Sequence, residues 1–152
     1  MIKKYKLTKE TKEYEELKLY RIEALVDFGV VKKGEKGGFI EKEENLNQSG
    51  NAWVSGDAMV SGNAKVYGDA TVSGSAWVFG NAMVYGDAWV SGNAMVYGNA
   101  IVYGNAIVSG DARVSGKIKC ETGRYVARKE KNWKFEEIVV DEESGTSVLW
   151  RK

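Results

Sequence analysis

Few residues in this chain could do chemistry, and histidine is not among them. A general base tuned near neutral pH is most often an imidazole, and zinc sites lean on His and Cys. With no His and a single cysteine, Cys120, neither arrangement can be assembled, and no internal disulfide is available. The other acid–base candidates in the middle of the chain are Asp57, Asp69, Asp87 and Asp111. Each follows a glycine at a position that Asn or Ser fills elsewhere, which marks it as a turn residue. A carboxylate base stays open, since Asp57 and Asp111 fall in one file of the repeat described below. The nine-residue calcium repeat is absent. The segment GEKGG (Gly34 to Gly38) lacks the Lys-Ser/Thr ending of a phosphate loop and reads as a turn. We expect no catalytic residue, no cofactor and no metal.

A second set of residues has the types for recognition rather than catalysis. Trp53, Met59, Trp77, Met83, Trp89, Met95, Ile101 and Ile107 recur at multiples of six, and Tyr67, Tyr85 and Tyr103 at multiples of eighteen. Trp, Tyr and Met are enriched at protein interfaces. The question is what holds them at that spacing.

Every sixth residue from Gly50 to Gly116 is glycine, and the units between read Gly-(Asn/Asp/Ser)-Ala-x-Val-x, from GNAWVS to GDARVS. Six residues bury nothing alone and gain a core only by stacking on copies of themselves. In an extended unit Ala and Val point to one side and the residue between them to the other. The Ala column (Ala52 to Ala112) and the Val column (Val54 to Val114) therefore line a narrow interior. Gly bends the chain, and the following Asn or Asp tolerates left-handed angles. Extending the Ala column gives Ile40 and Leu46 before the block and Ile118 after it, large plugs for the open ends. Cys120 continues the Val column as a small core residue.

The residue before each glycine sets the coil. At a spacing of three hexads it sorts into Ser55/Ser73/Ser91/Ser109, Tyr67/Tyr85/Tyr103 and Ser61/Phe79/Tyr97/Ser115, whereas two hexads give mixed files. A three-sided coil of eighteen residues follows, its neighbouring strands about 4.8 Å apart. Its outward sides read Trp53/Thr71/Trp89/Ile107, Met59/Trp77/Met95/Arg113 and Lys65/Met83/Ile101/Lys119.

These hexads resemble those of hexapeptide-repeat left-handed parallel β-helix proteins, with an aliphatic residue and a small residue two positions before it. Here the glycine sits two residues after the aliphatic position rather than next to it. The lead-in LYRIEALVDFGVVKKGEKGGFIEKEENLNQSGNAWV (Leu19 to Val54) is similar to the start of YdcK-like β-solenoid proteins, which are common in bacterial and phage genomes. The resemblance spans residues 17–121. It implies an all-β, single-stranded left-handed parallel β-helix, the handedness resting on the family alone, and it suggests a phage or prophage origin. Many hexapeptide-repeat proteins are acyltransferases with a histidine base, and others are carbonic anhydrases with three zinc-binding histidines. This chain has none of these.

The chain's 152 residues carry a net charge of +1, with no strong field toward nucleic acid or a membrane. Charges crowd the two ends, as in a solenoid between caps that protect its open strand edges. We expect an N-terminal cap over residues 1–37, the solenoid over 38–121 and a C-terminal hairpin cap over 122–152. At the N-terminus, Tyr20, Ile22, Ala24 and Val26 alternate as a strand able to pair with the first coil. At the C-terminus, Trp133, Phe135, Ile138 and Val140 precede a DEESGT turn and Ser147–Trp150. No secretory leader or membrane span is evident, so a cytoplasmic, reducing location is expected. The expected function is a non-enzymatic structural or interaction protein. It would self-associate as a trimer or dimer, or bind a host or phage protein, through Trp53, Met59, Tyr67, Trp77, Met83, Tyr85, Trp89, Met95, Ile101, Tyr103 and Ile107. The alternatives are a phage anti-defence inhibitor of a host immune protein or signalling molecule, and an acyltransferase-like enzyme working without histidine.

Overall fold

A computed structural model describes residues 3–127, 134–137 and 148–151 of the chain. Each hexad forms one short strand, such as Trp53–Val54 or Met59–Val60, and then turns around its glycine. Strands eighteen residues apart pair in parallel, as in Trp53↔Thr71, Met59↔Trp77 and Lys65↔Met83. Three parallel sheets result, one per side of a prism. The sheet through Trp53, Thr71, Trp89, Ile107 and Arg124 has five strands, one for each successive coil. The fold is an all-β solenoid with eighteen residues per coil, and no α-helix occurs among the described residues.

The turn explains the glycine. Ala58 N–H donates to Ser55 O at 3.2 Å across Gly56, and the same closure recurs in later hexads. The glycines from Gly50 to Gly116 have φ between +62° and +75°. The expectation that the next Asn or Asp shares left-handed angles fails: the only other described residues with positive φ are Glu15 and Glu16 outside the glycines. Glycine takes the whole reversal, and the next residue's N–H is spent on the neighbouring coil, as in Asn51 to Gly68 O at 3.0 Å.

The Ala and Val columns are buried throughout, with Ile118 and Cys120 continuing them. The first coil departs from the expected register. Ile40 pairs with Val60 and Leu46 bridges to Val66, so both stand in the Val column, not the Ala column. The cause is a longer corner at Asn47–Gly50, where Asn47 Oδ1 accepts from Ser49 N–H at 2.9 Å. Eight residues separate Leu46 from Val54 instead of six. Both large side chains still plug the end, as expected.

The N-terminal segment is a hairpin of β1 (Tyr5–Tyr14) and β2 (Leu17–Ala24), and β2 pairs antiparallel with β3 (Lys36–Ile40). The strand reading of Tyr20–Ala24 agrees with this, while β1 had no clear apolar alternation to show it. The boundary expected at residue 37 falls inside β3. Gly37 and Gly38, expected in a turn, lie in that strand, pressed against the first coil: a Cβ on Gly37 would sit 2.4 Å from Val54 O. At the other end Lys134–Glu137 pairs antiparallel with Val148–Arg151, bringing Phe135 opposite Trp150. Trp133, Ile138, Val140 and Ser147 lie outside the described residues. No helix among the described residues is long and apolar enough to cross a membrane.

Candidate functional site: the outward faces of the prism

The outward column stands where the repeat places it, but its members differ in what covers them. On the face through Phe39, Met59 and Trp77, the hairpin tip folds down over the coils. Leu19, Phe39 and Met59 form a buried cluster with Trp77 against it. The Tyr14 ring meets Trp77 edge-on at 4.9 Å, and the Arg21 guanidinium lies 4.4 Å from the centre of the Phe39 ring. Trp77 Nε1 also donates to Ser61 Oγ at 3.0 Å. Trp53, on the neighbouring face, is 4% exposed beneath Tyr5 and Phe28. Trp53 and Met59, expected at an interface with another molecule, are therefore already packed against this chain's own N-terminal segment. Sequence periodicity finds outward positions but not the lateral cover, which comes from residues with a different period.

The remaining candidates are spread over all three faces and a corner. Trp89 is 51% exposed between Thr71 and Ile107. Met83 and Ile101 are adjacent rungs of the third face, half-buried, between Lys65 and Lys119. Met95 follows Trp77 on the next coil of the same face and is half-buried. The rings of Tyr67, Tyr85 and Tyr103 stack in one column, with centroids 4.7 and 5.3 Å apart. Burial and the neighbouring Tyr85 raise the Tyr67 phenol, and Tyr103 is raised by desolvation and by Glu121, to which its hydroxyl donates at 3.3 Å. A second stack, Phe79 on Tyr97 at 4.9 Å, was legible as a file but not singled out for a site.

One corner carries an amide ladder. Asn63 Nδ2 donates to Asn81 Oδ1 at 3.2 Å, and Asn81 Nδ2 to Asn99 Oδ1 at 3.3 Å. Lys42 Nζ donates to Asn63 Oδ1 at 3.3 Å. At this corner Asn is not interchangeable with Asp, because a stack of carboxylates has no donors. Asp57 and Asp111 stand on another corner file, three coils apart. At about 4.8 Å per coil that is roughly 14 Å, too far to act on one atom. No cluster of His, Cys, Asp and Glu among the described residues could hold a metal ion. The Cys120 thiol is buried, and its surroundings push its pKa up to about 11 against a partly opposing hydrogen bond with Tyr125.

Four segments of the repeat, residues 64–79, 76–92, 88–104 and 102–116, match one family model. Residues 64–116 thus match the YdcK β-solenoid repeat. No curated protein matches the chain. The YdcK repeat accounts for the spacing of the outward residues, whereas their identities vary from coil to coil.

Three groups at the start of the solenoid carried no sequence signal. Asn45 is fully buried. Its Oδ1 accepts from Glu41 and Lys42 N–H at 3.2 and 2.9 Å, and its Nδ2 donates to Gly62 and Ala64 O at 3.2 and 2.9 Å. A side-chain amide thus replaces a missing strand. Tyr5 OH donates to Glu43 and Leu46 O, and burial raises its pKa. Lys4 is 4% exposed, and its ammonium donates to Ala52 O at 2.8 Å. Burial lowers its pKa to about 8, against the pull of Asp69.

Proposed function

We propose that this protein is a non-catalytic binding scaffold that self-associates through the face carrying Thr71, Trp89 and Ile107. The observation that supports this is the contrast among tryptophans of equivalent repeat position. Trp53 and Trp77 are covered by the N-terminal hairpin segment, while Trp89 keeps 51% of its surface exposed on a flat parallel sheet. A tryptophan offers about 200 Å² of surface, so burying the remaining half contributes about 2.5 kcal/mol at 25 cal/mol/Å². A two-fold contact would use that twice. The lack of histidine supports the absence of catalysis.

Size-exclusion chromatography with light scattering on wild type and Trp89→Asp tests this. The expected result is an oligomer that Trp89→Asp dissociates. A monomeric wild type refutes self-association, and an oligomer unchanged by Trp89→Asp removes this face as its interface.

A further inference from the structure

The tyrosine column is unfinished at one end. Tyr85 is stacked on both sides, by Tyr67 and by Tyr103. Tyr67 has one face against Tyr85, and its other face looks toward the first coil. There the corner carries Asn47 in place of a fourth aromatic ring. The space left is a cavity of about 360 Å³ lined by Tyr67, Lys65, Glu43, Glu44, Asn47 and Gln48. It adjoins a second cavity of about 310 Å³, which shares Lys65 and Glu44 and adds Lys42 and Asn63.

The two spaces differ in chemistry. The first offers an aromatic face with carboxylate and amide groups around it. Among these, the Asn47 amide nitrogen and the Glu44 carboxylate make no hydrogen bond within the described residues, while Glu43 is paired with Lys3 at 2.9 Å. The second brings together two lysine side chains beside an asparagine, and Lys42 reaches Asn63 at 3.3 Å. A flat ring on Tyr67 would continue a column already spaced for stacking. An anion in the second space would meet Lys42 and Lys65.

We propose that this paired cavity binds a purine nucleoside monophosphate. The base stacks on the open face of Tyr67, with its N–H groups and ring nitrogens toward Glu43 and Asn47. The phosphate lies between Lys42 and Lys65. Glu44, which lines both spaces, accepts from the ribose hydroxyls between them. Nucleobases stack on aromatic side chains whatever their identity, so adenine and guanine both fit the stacking position.

Isothermal titration with AMP and GMP, alongside adenosine and ribose 5-phosphate, tests the site. Saturable one-site binding of AMP or GMP is expected. Tyr67→Ala should weaken it about 5- to 150-fold, the range that loss of one base–aromatic stack gives. Tyr67→Phe should keep it, and Tyr103→Ala, at the far end of the column, should leave it unchanged with the fold checked by circular dichroism. Lys65→Ala should weaken AMP and not adenosine. Absence of binding by either nucleotide at about 10 mM, weaker than any useful site, overturns the proposal. So does equal affinity for AMP and ribose 5-phosphate, or nucleotide binding untouched by both Tyr67→Ala and Lys65→Ala.

Discussion

Replacing Gly86 with alanine separates the two demands that each corner makes of its glycine. Gly86 has φ +69°, and a Cβ there would lie 2.8 Å from Gly104 N, on the backbone of the next coil. The left-handed angle costs an L-residue about 1–2 kcal/mol. Forcing a methyl group against packed backbone adds about 1–3 kcal/mol, since the adjacent coil must move away and lengthen its hydrogen bonds. One of those bonds runs from Asp87 N to Gly104 O at 2.8 Å. Gly34 is the internal control: its φ is +89°, and a Cβ would meet nothing within 4 Å. Gly34→Ala should therefore cost only the conformational part, about 1–2 kcal/mol, and Gly86→Ala about 2–5 kcal/mol. Urea unfolding followed by circular dichroism measures both. Equal losses for the two variants would refute the claim that coil stacking, beyond turn conformation, demands glycine at every corner.

Three further outcomes follow from the core and its ends. Ala82 is fully buried in the core column, so Ala82→Leu should cost about 1–3 kcal/mol in the same assay. Lys4 has a folded pKa of about 8 against 10.5 when unfolded, so between these values the unfolded chain binds more protons and stability rises with pH from 8 upward. Cys120 and Tyr5 act oppositely, because their raised pKa values make stability fall above about pH 9 and pH 10 respectively. The Lys4 contribution is therefore read between pH 8 and 9, as the wild-type increase missing from Lys4→Met. Cys120, buried and with its pKa pushed up to about 11, should resist iodoacetamide at pH 8 in the native protein and react fully in urea.

The period of six was enough to place the Ala and Val columns and the outward register, because each rests on a local rule repeated without a break; the eighteen-residue coil needed the variation in the residue before each glycine. The two-residue slip of Ile40 and Leu46 was not legible, since it depends on a corner closed by Asn47 and Ser49 outside the period. Asn45 was equally silent: nothing in EKEENLNQ shows that one amide will make four hydrogen bonds, two of them to the adjacent coil. Of the outward residues, position was legible and cover was not. Trp53 and Trp89 occupy the same place in their hexads, yet only the three-dimensional path of the N-terminal hairpin makes one buried and the other open.

That difference bears on how such a repeat acquires function. The Ala and Val columns are buried throughout, and a Cβ at the glycine corners from Gly50 to Gly104 would fall 2.4–3.1 Å from the next coil. Variation is confined to the outward position, the residue before each glycine and the residue after it. At each of these, neighbours along the axis come from sequence eighteen residues away, so one substitution adds one rung to a column. Three kinds of column are present. The Asn63/Asn81/Asn99 file satisfies its own amides, the Tyr67/Tyr85/Tyr103 file stacks rings, and the Met59/Trp77 file receives the hairpin. A column matters to a ligand or partner where it stops, because its last member keeps one unpaired side. Tyr67 is such an end beside a cavity, and Trp89 is an exposed rung between two smaller residues. The regular interior thus fixes where these irregularities fall, and recognition by this solenoid should concentrate at them rather than along the repeated surface.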